Sequence, residues 1–164
     1  RAACALRPAI LKVHASGGAA MMRAAAGAAA GTGVSVIAVT VLTSLDAPSL
    51  ECMGWTLGPA GSVLRLAGMA RESGMDGVVC SPLEAASVRQ ATGPGFFIIT
   101  PGIRPAGAGA GDQARTATPA AAILNGADAV VVGRPISAAP DPRASATAIL
   151  EELEEAVVSR SGSA

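Results

Sequence analysis

The chain has 164 residues, 51% of them apolar but only 2% aromatic, and its 12 basic side chains balance its 12 acidic ones. Zero net charge excludes a protein that holds nucleic acid by neutralising a phosphate backbone, which needs a basic stripe. The aliphatic content excludes disorder, and no apolar run approaches the roughly 20 residues of a membrane helix, so neither nucleic acid nor membrane is an expected partner.

Five times along the chain a short β-branched run precedes a loop and a helix-like stretch. The first strand is expected at 9–14, with a helix at 17–30 and Ser16 as its cap. The second runs over 35–41, followed by a loop containing Pro48 and a helix over 62–72. The third, 77–80, leads into a helix over 82–90 with Ser81 as cap and Pro82 in the first turn. The fourth, 96–100, is followed by a long loop and a helix over 119–125, capped by Thr118, opened by Pro119 and stopped by Gly126. The fifth, 129–132, precedes a helix over 144–159, whose Ile149, Leu150, Leu153 and Val157 share one stripe while its four glutamates, at 151, 152, 154 and 155, are expected on a solvated face.

The strands are near-continuous apolar runs, as in a parallel sheet covered by helices. Each unit takes about 33 residues. An eight-unit barrel takes about 250, so five units are either part of such a barrel or a complete doubly wound sheet. The pattern does not choose between them. No boundary is visible, and residues 1–164 read as a single domain. The cysteines, Cys4, Cys52 and Cys80, form no CxxC or Cys/His cluster, which fits a reducing cytoplasm and no metal. The chain opens on Arg1 without a signal-peptide pattern, and the expectation is a piece of a longer protein.

In parallel α/β folds, sites lie at the carboxyl ends of strands. The fourth strand is followed by Thr100-Pro101-Gly102-Ile103-Arg104 and a glycine-rich loop with Asp112 and Gln113, long enough to be a lid. The fifth is followed by Gly133-Arg134-Pro135. Glycine admits a close backbone approach and arginine offers a planar fork to phosphate oxygens. Arginines and glycines after the last two strands match the phosphate site of β/α barrels, or else Arg104 and Arg134 are surface charges and the glycines ordinary turns. The second strand ends at Thr43 and Ser44, whose hydroxyls suit the edge of a heterocycle or an ordinary turn. Lys12 and His14 share a face of the first strand, which places them either inside a barrel or, for His14, in the core. Cys80 reads as a buried, inert thiol. Gly107–Gly111 fails as a dinucleotide fingerprint, because it does not open a helix directly after a strand.

The segments KVHASGGAAMM (12–22), IAVTVLTSLD (37–46), DGVVCSPLEA (76–85) and TPGIRPAGAGAGDQARTATPAAAILNGADAVVVGRPI (100–136) together resemble bacterial orotidine 5′-phosphate decarboxylase, in order and over nearly the whole chain. The resemblance implies a (β/α)₈ TIM barrel, truncated here at its N-terminal side, with this chain as strands four to eight. It implies a cytoplasmic homodimer that converts orotidine monophosphate to uridine monophosphate and CO₂ in pyrimidine synthesis, with no cofactor. It also implies that Thr43 meets the nucleotide at the pyrimidine end. Arg104, Gln113, Gly133 and Arg134 match the positions around the phosphate and the closing loop. The departure is equally clear. The family's catalytic charges come from the first three strands, including a D-x-K-x-x-D segment whose lysine protonates the carbon that loses CO₂, and these 164 residues contain no such segment. The catalytic set is therefore empty in this chain, and neither Lys12 nor His14 is promoted to it. The chain is expected to be inactive alone, as the binding half of a lyase. The alternatives are a non-catalytic phosphate- or nucleotide-binding half-barrel, and another phosphate-sugar enzyme on the same barrel.

Overall fold

A computed structural model of the chain describes residues 1–105 and 115–162. Five parallel strands form one sheet: β1 (Ile10–His14), β2 (Ser35–Val39), β3 (Gly77–Val79), β4 (Phe97–Thr100) and β5 (Ala129–Val130). They lie in chain order, each paired to the next. That order separates the two architectures. A doubly wound sheet reverses direction at a switch point, whereas here every crossover advances one strand the same way. With right-handed crossovers, all helices then fall on one face, as in consecutive staves of a barrel.

The core follows from this. Val36 and Ala38 of β2, Val78 of β3 and Ile98 of β4 point toward the helices, with Cys80 just beyond β3. They meet Met22 and Ala29 of α1 (Gly18–Ala29), Val63, Leu66, Ala67 and Ala70 of α3 (Gly58–Glu72), and Ala85 and Val88 of α4 (Ala85–Thr92). The small alanines let helices lie close to the sheet, which is how a chain nearly free of aromatics still excludes water. A smaller cluster joins Ile103, Ala127 and Ala122, the last on α5 (Pro119–Leu124).

Several local expectations need correction. The loop around Pro48 is a short helix, α2 (Ala47–Cys52), because Asp46 caps it by accepting from the Ser49 N–H at 3.0 Å. Hydrogen bonds from Ser49 hold that carboxyl below its usual value, so the cap is intact above the ordinary carboxylate range and is lost as pH falls through the lowered pKa. Helix α3 begins at Gly58, before the expected Ser62, since Pro59 suits a first turn. Ser81 does not cap α4. Its hydroxyl accepts from the Leu83 N–H at 3.2 Å, making a turn, and the helix starts at Ala85. Ser16 does not cap α1 either, because it lies inside a 3₁₀ turn, Ala15–Gly17. Thr118 does cap α5, accepting from Ala121 N at 3.2 Å.

The short helix α6 (Arg134–Ser137) follows β5, and α7 (Pro142–Ser161) begins earlier than expected, capped by Asp141. The stripe of α7 is rotated from the sequence reading. Ile149 and Ala156 are buried, while Leu150 and Val157 are exposed. Rotation brings Glu152 inward, where its Oε1 accepts from Ala120 N at 2.9 Å at the start of α5. One glutamate of the expected solvated cluster is thus a cap for a neighbouring helix.

Two aspartates set the strand register at the amino end of the sheet. Asp76 N donates to the Val36 carbonyl at 2.9 Å, and its Oδ2 accepts from Val36 N at 2.6 Å. Asp128 repeats the pattern on Ile98, at 2.9 and 2.8 Å. Gly77, one residue beyond the first clasp, is needed for a different reason, because a Cβ there would stand 2.1 Å from the Phe97 carbonyl oxygen. Replacing Gly77 with alanine should lower the urea midpoint, with a cost of about 1–3 kcal/mol or more. Gly27→Ala, in α1 with open space around its Cβ, should instead stabilise by about 0.5–1 kcal/mol. Paired urea titrations check both signs.

Candidate functional site

The face of the sheet away from the helices lines a cleft of about 620 Å³ that opens at the carboxyl ends of the strands. Strand alternation decides its floor. Ile37 and Val39 of β2, Val79 of β3 and Ile99 of β4 all point into it. Lys12 and His14 stand at one side, on β1, and Val131 at the other. The floor is apolar and the rim polar, a combination that suits a ligand with a flat, weakly polar part and a charged part.

The rim comes from the segments just past the strands. Beyond β2 the chain places Val41, Leu42, Thr43 and Ser44 at the cleft, with Thr43 buried. Beyond β4, Gly102 takes a positive φ of 78° that favours glycine, and Arg104 follows, half-buried, its Nη1 donating to the Ile103 carbonyl at 2.8 Å. Beyond β5, Gly133 and Arg134 line the cleft and lead directly into α6. Two guanidinium groups after adjacent strands stand next to a short extra helix, at the corner where β/α barrels commonly place a phosphate site. Thr43 lies on the rim segment after β2, with β3 between it and that corner. Of the expected ligand-binding residues, Thr43, Arg104, Gly133 and Arg134 thus line one cleft, and Gln113 lies outside the described residues, as does the loop read as a lid.

Lys12 and His14 are on the cleft side of β1 and exposed, so the reading of His14 as a core residue gives way to the barrel-interior one. Among the described residues no three His, Cys, Asp or Glu side chains gather to hold a metal ion. The described lining offers cations and hydroxyls but no carboxylate. The described lining residues are suited to an anionic ligand with an apolar part.

Sequence reasoning missed one feature beside the rim. Arg115 and Glu84 form a buried ion pair, Nη1 donating to Oε1 at 2.6 Å. Arg115 also donates through Nη2 to the Leu42 carbonyl at 3.0 Å. The pair spans 31 positions, and nothing local in the sequence marks either partner.

The family model described as Orotidine 5'-phosphate decarboxylase / HUMPS family matches residues 3–149. The chain is 57% identical, over 93% of its length, to an orotidine 5′-phosphate decarboxylase of Anaeromyxobacter dehalogenans, and spans 67% of that protein. It is 56% identical to the enzyme of the same name from Halorhodospira halophila, over 95% of this chain and 67% of the relative. The crystal structure of orotidine 5′-phosphate decarboxylase from Lactobacillus acidophilus superposes with a TM-score of 0.78 at 39% identity, covering 93% of this chain and 66% of that one. The chain thus spans about two thirds of the length of the relatives it matches.

Cys80, just past β3, is buried in the core on the helix side of the sheet and is unsuited to chemistry. Burial, and then the charge of Glu84, push its thiol up to about 12, so almost no thiolate forms near neutrality. At pH 8 a thiol reagent should modify the exposed Cys52 promptly and Cys80 only after denaturant is added. Peptide mapping of the labelled protein checks the order.

Proposed function

The chain belongs to the Orotidine 5'-phosphate decarboxylase / HUMPS family, and we propose that it supplies the nucleotide-binding side of an orotidine 5′-phosphate decarboxylase, a lyase of pyrimidine synthesis that releases CO₂ from orotidine monophosphate to give uridine monophosphate. The observation that carries this reading is the convergence of Thr43, Arg104, Gly133 and Arg134 on one cleft, in a chain whose relatives bear that name. The phosphate sits at the corner of Arg104, Gly133 and Arg134, where forked, charge-assisted hydrogen bonds are strongest. Gln113, outside the described residues, is assigned to the phosphate site by the family resemblance alone. The pyrimidine lies over the apolar floor toward Thr43. Holding a remote phosphate is useful to such a reaction, because binding energy gained far from the reacting carbon can be spent on its transition state.

Residues 1–164 act as one domain in this reading, and the whole protein is a cytoplasmic homodimer without cofactor. No helix among the described residues is long and apolar enough to cross a membrane. The chemistry itself needs a proton donor placed at the carbon that loses CO₂, and the 164 residues contain no D-x-K-x-x-D segment to supply it. Lys12 faces the cleft from β1 but has no carboxylate among the described lining residues to hold it. The chain therefore binds the nucleotide without turning it over.

Calorimetric titration with uridine monophosphate should show saturable binding to this chain. Arg134→Ala should weaken it by about 10- to 100-fold, the range for losing hydrogen bonds to a charged group. Orotidine monophosphate should be bound and returned unchanged, followed by its ultraviolet absorbance. Absence of nucleotide binding, or decarboxylation by this chain, would contradict the proposal.

A further inference from the structure

We infer that Arg115 is a positioning residue that ties the phosphate end of the cleft to the base end, so that the nucleotide's heterocycle is recognised only when this side chain holds the segment before Thr43. The inference rests on the proposed nucleotide-binding function and says which residue makes the base end selective.

The geometry begins with two carbonyls. The ladder between β2 and β3 ends where Thr40 N donates to the Val79 carbonyl at 3.0 Å. Val41 and Leu42 lie past that point, at the mouth of the cleft. Arg115 Nη2 reaches both of their carbonyl oxygens, at 3.0 Å for Leu42 and 3.5 Å for Val41. Leu42 is bonded to Thr43, so the guanidinium fixes the backbone from which Thr43 projects. On its other side Arg115 is anchored by Glu84, the residue before α4. Both partners are buried, at 8% and 6% exposure.

The same arginine is tied to the phosphate corner. Ala117, two residues on, bridges to Ile103. Its carbonyl accepts from Arg104 N at 2.9 Å. A continuous path therefore runs from Arg104 through Ala117 and Arg115 to Leu42 and Thr43. Only arginine serves at its centre. A planar fork can meet a carboxylate and a carbonyl from different nitrogens at once, while a lysine ammonium is a compact point charge. Lys at 115 keeps the charge opposite Glu84 and gives up the Leu42 carbonyl.

A residue that only stabilises the fold would change the affinity of every ligand together. A residue that positions Thr43 changes the ratio between a ligand with the base and one without it. The test titrates uridine monophosphate and ribose 5-phosphate into the parent protein and into Arg115→Lys, Glu84→Gln and Thr43→Ala. The parent should prefer the nucleotide. In Arg115→Lys the affinity for ribose 5-phosphate should stay within about threefold, while that for the nucleotide falls about tenfold, the order of one positioned hydrogen bond. Thr43→Ala should do the same, and combining the two should add little, since they act as one unit. Equal losses for both ligands in Arg115→Lys, or an unchanged preference, would overturn the inference and leave the functional reading standing. A parent that shows no preference would overturn both. Should Arg115→Lys fail to fold, Glu84→Gln decides by the same ratio, because it keeps a hydrogen-bond acceptor for Arg115 but removes the charge that anchors it.

Discussion

The structure depends on one topological constraint, that each parallel strand pairs with the strand before it and the next crossover advances in the same direction. Four such steps, each with the usual hand, send every helix to one face and every strand's carboxyl end to one rim. The polar residues that follow β2, β4 and β5 are separated in sequence by dozens of positions, and they meet because the strands stop at the same edge. The opposite face carries Ile37, Val39, Val79 and Ile99, and among the described residues this surface lines the cleft.

Two arginines hold the two edges. At the amino edge Arg89 donates to the carbonyls of Gly93, Phe96 and Gly126 and pairs with Asp128, the residue that clasps Ile98. It is partly exposed, at 22% for its side chain, and its work is to fasten loops. At the carboxyl edge Arg115 is buried and faces Glu84 and the end of β2. Desolvating such a pair is costly, and removing one partner typically costs about 3–5 kcal/mol because the other is left buried and charged. A buried pair that is expensive to keep beside the rim of the cleft, rather than an apolar contact, fits a need for fixed geometry there. The amino edge of a barrel-type sheet serves stability and the carboxyl edge serves the ligand, and the two arginines divide along that line.

Much of this was legible from residue order. The five strands are where their β-branched runs lie, because in a run such as Val34 to Val41 one set of side chains packs on the helices and the alternate set lines the cleft. Thr118-Pro119 marked a helix start because a hydroxyl cap and a first-turn proline agree. Ser81-Pro82 carries the same signal and does not start a helix, because the Ser81 hydroxyl turns to Leu83 N and delays it to Ala85. The outward turn of Leu150 and the inward turn of Glu152 were hidden, since the rotation of a helix about its axis depends on what it packs against. Thr43, Arg104, Gly133 and Arg134 could be named from a family pattern, and their convergence required the fold. Arg115 and Glu84 could be found from neither, because an ion pair across 31 positions leaves no spacing to read.

The cleft offers cations, hydroxyls and an apolar floor, and the 164 residues contain no D-x-K-x-x-D segment. The proposed function requires one orientation of the nucleotide, phosphate at one end of the cleft and pyrimidine at the other. A crystal structure of the protein with uridine monophosphate tests it most directly. The phosphate is expected against Arg104, Gly133 and Arg134, with the uracil edge at Thr43. A nucleotide bound in the reverse sense, or bound away from this cleft, would contradict it.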